Sequence, residues 1–248
     1  MTDDATLSDD KAAAGKPARQ RPAVPKWESA ARERVRTAIR RFARPLADLR
    51  DRDANEGDTR LIVTDFLCDA LGYDKYENLT TEYRVKGEFA DYGVRIDKQL
   101  EAFIEVKRIS TKLNERHLRQ VLSYAVNEGV EWVMLTNGQV WQAYHITAGL
   151  PVQVDKAIEV DLLGDGTASA KADDLFYLTI EAARRDLMDA VWKEQAATSP
   201  GSLARACLDP SVVEAIRRQV RRSTGHNADG ARIADVLRDE VIRPELLR

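Results

Sequence analysis

Two short stretches joined by a tight turn, Asp91 to Asp97 and Leu100 to Lys107, constrain this chain more than any other part of it. In the second, Leu100, Ala102, Ile104 and Val106 alternate with Glu101, Phe103, Glu105 and Lys107, and a period of two sends the sets to opposite faces of a strand. The pattern predicts a β-hairpin turning at Asp97, Lys98 and Gln99, with the first set in a core. On the other face Glu105 and Lys107 stand side by side, and an antiparallel partner strand brings Asp91 near them. Two carboxylates suit a hard divalent cation, and an ammonium beside them can orient a water or screen developing negative charge. Taken alone, Glu-x-Lys reads first as a solvated strand face.

The segments around the hairpin decide what it can belong to. Residues 1 to about 25 are rich in Asp, Ala, Lys and Pro and have almost nothing large to bury, which predicts a disordered tail. From Trp27 a helix is expected, with Ala31, Val35, Ile39 and Phe42 on one face, arginines over the rest, and Pro45 limiting or kinking it. Those arginines fit either phosphate contact or a solvated face with internal ion pairs. A second helix spans Asn55 to Tyr73, with Asn55 or Asp58 as N-cap and Gly72 ending it. Locally, Glu56 reads as an acid favourably placed at that helix N-terminus.

A strand over Thr81 to Lys86 and a turn at Gly87, Glu88 and Phe89 precede Asp91. After Lys107 a polar connector leads to a helix beginning near Asn114, with Leu118, Val121, Leu122 and Ala125 packed, and His117, Gln120 and Tyr124 forming a polar stripe. Glu131 to Thr136 and Gln139 to Ile146 read as strands around Asn137-Gly138, a two-residue hairpin signal, and Ala157 to Leu163 as an edge strand. Helices follow over Leu175 to Trp192, Pro210 to Arg222 and Ala228 to Leu237. The second carries Arg217, Arg218, Arg221 and Arg222, which fit nucleic acid or solvent equally well.

Composition narrows the classes further. A net charge of −3 over 248 residues argues against indiscriminate coating of nucleic acid, though local basic surfaces are allowed. Cys68 and Cys207 lie far apart without zinc-ligand spacing, so buried free thiols are expected. No charged-then-apolar leader and no apolar run approaching the ~20 residues of a membrane span occur, so a soluble cytoplasmic protein without membrane contact is expected.

The order of these elements resembles the N-terminal nuclease domain of type I restriction enzyme R subunits, a branch of the PD-(D/E)xK nuclease superfamily. The residues that carry the resemblance are Glu56 on a helix, Asp91-Tyr92, Glu105-Val106-Lys107, the helix with Gln120-Val121-Leu122-Ser123-Tyr124, and Leu135-Thr136-Asn137-Gly138. Thr59-Arg60 and Leu71-Gly72-Tyr73 add to it, and the similarity runs from about Asn55 to Ile146. It implies an α/β fold with a restriction-endonuclease-like core, a mixed central sheet flanked by helices, and a helical C-terminal extension. The divisions expected are 1–25 tail, 26–53 basic helix, 54–168 nuclease-like domain and 169–248 helical region.

The resemblance also implies a Mg²⁺-dependent DNA endonuclease, Mn²⁺ substituting, in which Asp91, Glu105, the Val106 carbonyl and Glu56 surround the metal. Asp91, Glu105 and Lys107 would then be catalytic, while Gln120 and Tyr124 would contact DNA or brace the site. A homodimer and a separate motor or specificity subunit are the expected protein partners. Residue 90 is Ala where the superfamily name has Pro, and no Gly-x-x-x-x-Gly-Lys-Ser/Thr loop occurs, so the expected module lacks the motor. The alternative is a non-catalytic nucleic-acid-binding or assembly module on the same fold.

Overall fold

The computed structural model describes residues 24–85, 87–149 and 152–247; the expected N-terminal tail, apart from its last two residues, and Lys86 lie outside them. In chain order the elements are α1 (Lys26–Asp51), α2 (Glu56–Asp69), β1 (Leu79–Val85), β2 (Glu88–Ile96), β3 (Gln99–Val106), α3 (Glu115–Glu128), β4 (Trp132–Thr136), β5 (Val140–Thr147) and β6 (Gln153–Asp161). There follow α4 (Ala168–Leu175), α5 (Ile180–Ala183), α6 (Leu187–Thr198), α7 (Pro200–Cys207), α8 (Pro210–Thr224) and α9 (Gly230–Val236). The strands form a six-stranded sheet in sequence order. Every neighbouring pair is antiparallel except β3 and β4, which run parallel because α3 carries the chain back between them.

This is the expected mixed sheet, and it is covered on both faces. On one, Ala31, Val35, Ala38, Ile39, Phe42, Leu46 and Leu49 make the buried stripe of α1. Phe66 of α2 sits between Phe42 and Trp141, with ring centroids 5.3 and 5.2 Å away. Burying aromatic and aliphatic side chains of this size contributes about 1.5–3 kcal/mol each, which makes this the main core. On the other face α3 packs Val121, Tyr124 and Ala125 over Phe103 and Val133. The Phe103–Glu105 face is therefore not the solvated surface that alternation alone suggests.

Several local expectations are corrected. Helix α1 runs through Pro45, which lies on its exposed side, where the carbonyl it strands can take water. Glu88 and Phe89 belong to β2 rather than to a turn, and β6 begins at Gln153 rather than Ala157. The turn between β2 and β3 contracts to Asp97 and Lys98, both at positive φ, because Ile96 pairs with Gln99. The single helix expected over Leu175 to Trp192 is broken twice. Thr179 is extended and its hydroxyl caps α5, and Asp186 adopts a left-handed conformation before α6. Helix α7 was not anticipated; Ser199 caps it and Pro200 opens it. Both cysteines are free and partly exposed. No helix among the described residues is long and apolar enough to cross a membrane.

Candidate active site

The hairpin strands part at one end. The last paired residues of β2 and β3 are Tyr92 and Ile104; beyond them β2 continues along β1, while β3 continues along β4 as far as Val106 and Thr136. In the opening, Asp91 replaces the missing ladder with its side chain, its Oδ2 accepting from the Val106 N–H at 2.8 Å. Antiparallel register puts Asp91 opposite Glu105 and on the same face. A β-strand that leaves one partner and keeps the other thus creates a cleft with two carboxylates on its walls.

Glu105 is 3% exposed. Its Oε1 accepts from Lys107 Nζ at 2.5 Å, while its Oε2 is buried with no hydrogen-bond partner. Burial pushes the Glu105 carboxyl up to about 7; the Lys107 hydrogen bond opposes this, and the charges of Asp91 and Glu56 add to it. Asp91 is also raised, chiefly by burial, against the pull of the Val106 N–H and of Arg60. For Lys107, burial works to lower the ammonium, but the hydrogen bond and charge of Glu105 carry it above its ordinary value. Lys107 Nζ also reaches Gln120 Oε1 at 3.5 Å, and Gln120 Nε2 donates to the Tyr124 hydroxyl at 3.2 Å. Tyr124 is buried with its ring edge-on to Phe103, so it suits bracing Gln120 better than touching a ligand; Gln120 is exposed.

Helix α2 aims its first turns at the same cleft. Asn55 caps it by accepting from the Asp58 N–H at 2.9 Å. Glu56, part-exposed in the first turn, bears electrostatically on Asp91, Glu105, Lys107 and His117. Two residues not singled out as site residues from sequence also stand here. Arg60, one turn after Glu56, places NH2 3.1 Å from Asp91 Oδ1 and NH1 3.6 Å from Glu82, and its Nε is buried without a partner. The i, i+4 spacing from Glu56 was the available signal. His117, three residues before Gln120, keeps Nδ1 buried and unpartnered, and burial followed by the Lys107 charge lowers its basicity.

The backbone that carries Lys107 is pinned from behind. The Lys107 N–H donates to the Thr136 carbonyl at 2.8 Å, and the Ile109 N–H to Thr59 Oγ1 at 3.1 Å. Asn137, buried, donates to the carbonyls of Ile109 and Thr111 at 3.1 and 3.0 Å and accepts from the Val140 N–H at 2.7 Å. The Asn137-Gly138 segment is therefore a clamp on the connector after Lys107 rather than a two-residue hairpin turn; Thr136 pairs with Trp141 across a four-residue connection.

Among the described residues no three or more His, Cys, Asp or Glu side chains come together as a metal-binding group. A cation in the cleft would have to draw on the Asp91 and Glu105 carboxylates and the Val106 carbonyl, with Glu56 nearby. The unpartnered Oε2 of Glu105 is an oxygen that such a cation would satisfy, and an all-oxygen donor set suits Mg²⁺ or Mn²⁺.

A mixed sheet flanked by helices, with acidic groups and a lysine where its parallel pair ends, defines a restriction-endonuclease-like α/β core. Residues 55–155 match the family model for the Type I restriction enzyme R protein N terminus. The segment runs from the cap of α2 into β6 and contains every residue of the cleft described above. No curated protein and no solved structure matches the chain.

Proposed function

We propose that the chain is a metal-dependent DNA endonuclease that hydrolyses phosphodiester bonds in the restriction of foreign DNA. The observation that carries this reading is the meeting of Asp91, Glu105 and Lys107 at the splayed end of β2 and β3, within a segment of a restriction-enzyme family. Phosphodiester hydrolysis builds negative charge on the phosphoryl oxygens and on the leaving oxygen. Mg²⁺ or Mn²⁺ held by Asp91, Glu105 and the Val106 carbonyl, with Glu56 beside them, would supply Lewis acidity there. Lys107 opposes the burial that raises the Glu105 carboxyl and presents an ammonium to the reacting phosphate or its water. Gln120, braced by Tyr124, fixes the position of that ammonium. One centre cuts one strand, so we propose a homodimer for double-strand cleavage and a separate motor or specificity subunit as a further partner. The setting for this activity would be the cytoplasm.

One observation favours a second reading, a non-catalytic nucleic-acid-binding module. Each cleft carboxylate already has a cation of the chain itself beside it, Arg60 on Asp91 and Lys107 on Glu105. Supercoiled plasmid incubated with the protein in Mg²⁺, in Mn²⁺ and in EDTA separates the two. Metal-dependent nicking or linearisation abolished by Asp91→Ala and by Lys107→Ala, in folded variants, is the expected result. Plasmid left whole under every condition, yet retarded in a gel, would favour the second reading.

A further inference from the structure

The fourteen residues from Lys107 to Gln120 carry Lys107, Arg108, Lys112, Arg116 and Arg119 against the single acid Glu115, in a chain whose net charge is −3. Two of these cations are already committed, Lys107 to Glu105 and Arg108 to Asp53. Lys112, Arg116 and Arg119 are exposed and have no carboxylate partner among the described residues. Several arginines elsewhere are neutralised locally: Arg32 by Glu28, Arg34 by Glu181, Arg41 by Asp69 and Arg217 by Glu214. Arg116 stands in the first turn of α3, where a cation is opposed by the helix dipole.

Their placement relative to the cleft is fixed by the helix. At 3.6 residues per turn, Arg116 lies about 40° and Arg119 about 100° round the axis from Gln120, and Gln120 touches Lys107. Lys112 precedes the Asn114 cap. The free cations thus form a strip that starts at the lip of the cleft and crosses the exposed back of α3. His117, about 60° round the axis from Gln120 on the side away from Arg116, leaves Nδ1 without a partner. A row of unpaired cations beside a cleft proposed to take a phosphodiester matches the repeating charge of a nucleic-acid backbone.

We propose that Lys112, Arg116 and Arg119 are a phosphate-binding track that lays duplex DNA across α3 and into the cleft. The proposal rests on the nuclease reading only in taking DNA as the polyanion. The competing basic surface is on α8, where Arg221 and Arg222 are also without a carboxylate ion-pair partner among the described residues and Arg218 acts electrostatically on Glu214. Nothing connects that helix to the cleft.

The test is the salt dependence of binding of fluorescent duplex DNA to the full chain in EDTA, where cleavage does not interfere. Wild type is compared with Lys112→Ala/Arg116→Ala/Arg119→Ala and, as control, with Arg218→Ala/Arg221→Ala/Arg222→Ala. Each lost phosphate contact lowers the slope of log affinity against log salt by about 0.9, so the α3 triple should lose about 2.7 and the single variants about 0.9 each. The single variants keep the test decisive if the triple unfolds. A slope unchanged by the α3 substitutions, a loss confined to the α8 variant, or stronger displacement by duplex RNA than by duplex DNA would overturn the proposal. A wild type that cuts plasmid while the α3 variants keep its slope sinks the track and spares the nuclease reading. A slope loss as expected in a protein that never cuts does the reverse.

Discussion

Glu105→Gln should make the protein less sensitive to rising pH while removing the nuclease activity proposed for it. The wild-type carboxyl sits near 7 in the folded protein against an ordinary value of 4.5, because it is buried beside Asp91 and Glu56. A raised carboxyl costs nothing while it is protonated in both states, so the penalty is absent below about pH 4.5. It grows as pH rises through the interval and is complete above about pH 7. At about 1.36 kcal/mol per unit the full penalty is about 3 kcal/mol, most of which falls between pH 5 and pH 8. Any pH-independent effect of the substitution cancels when each protein is compared with itself at the two pH values. For a chain of this size about 2–3 kcal/mol corresponds to roughly 4–12 °C in Tm.

The assay is thermal unfolding of wild type and variant from pH 5 to pH 8. The wild-type Tm should fall relative to that of the variant by that amount as pH rises. Added Mn²⁺ at pH 8 should restore stability to wild type, by about 2.7 kcal/mol at a hundredfold excess over Kd, and do much less for the variant. Parallel Tm profiles for the two proteins would refute the argument that Glu105 is held ionised at a cost. Equal stabilisation of both by Mn²⁺ would refute its place among the metal-facing oxygens.

Three further substitutions test the frame around the cleft. Lys107→Met removes the cation that holds Glu105 ionised and should cost about 2–4 kcal/mol at pH 8, shrinking toward pH 5 where Glu105 takes up a proton; Tm at both pH values and plasmid cleavage, expected to be lost, read this out. Asn137→Ala strands the carbonyls of Ile109 and Thr111 and the Val140 N–H, and should cost about 2–4 kcal/mol by chemical denaturation. Cleavage should fall with it, because the connector after Lys107 loosens. Gly93→Ala puts a Cβ 2.7 Å from Tyr83 Cδ2 and 3.1 Å from Leu100 Cδ1, and should lower stability by about 1–3 kcal/mol in the same assay.

The sequence by itself determined what local periodicity and spacing encode. The alternation from Leu100 to Val106 marks a strand, Asn55 or Asp58 offers the cap of α2, and α3 is expected to begin near Asn114. The order of Glu56, Asp91, Glu105, Lys107, Gln120 and Tyr124 marked out one candidate constellation. Runs of residues a few positions apart report backbone geometry reliably because helix and strand repeats are short. What they cannot report is which other segment lies across from them.

Tertiary structure alone decided that β2 and β3 part after Tyr92 and Ile104, and that α3 covers the face of Phe103 and Glu105. That covering turns a strand which reads as solvated into a buried one and drives the Glu105 carboxyl upward. It likewise set Arg60 on Asp91, across thirty-one positions of chain, and gave Asn137 its grip on the Lys107 connector. The helical region after β6 was overextended from sequence because Thr179 and Asp186 break it through caps and a left-handed residue, which an apolar stripe does not register. Burial and charge pairing are properties of three-dimensional neighbours, so the residue types were legible in the chain while their electrostatic state was not.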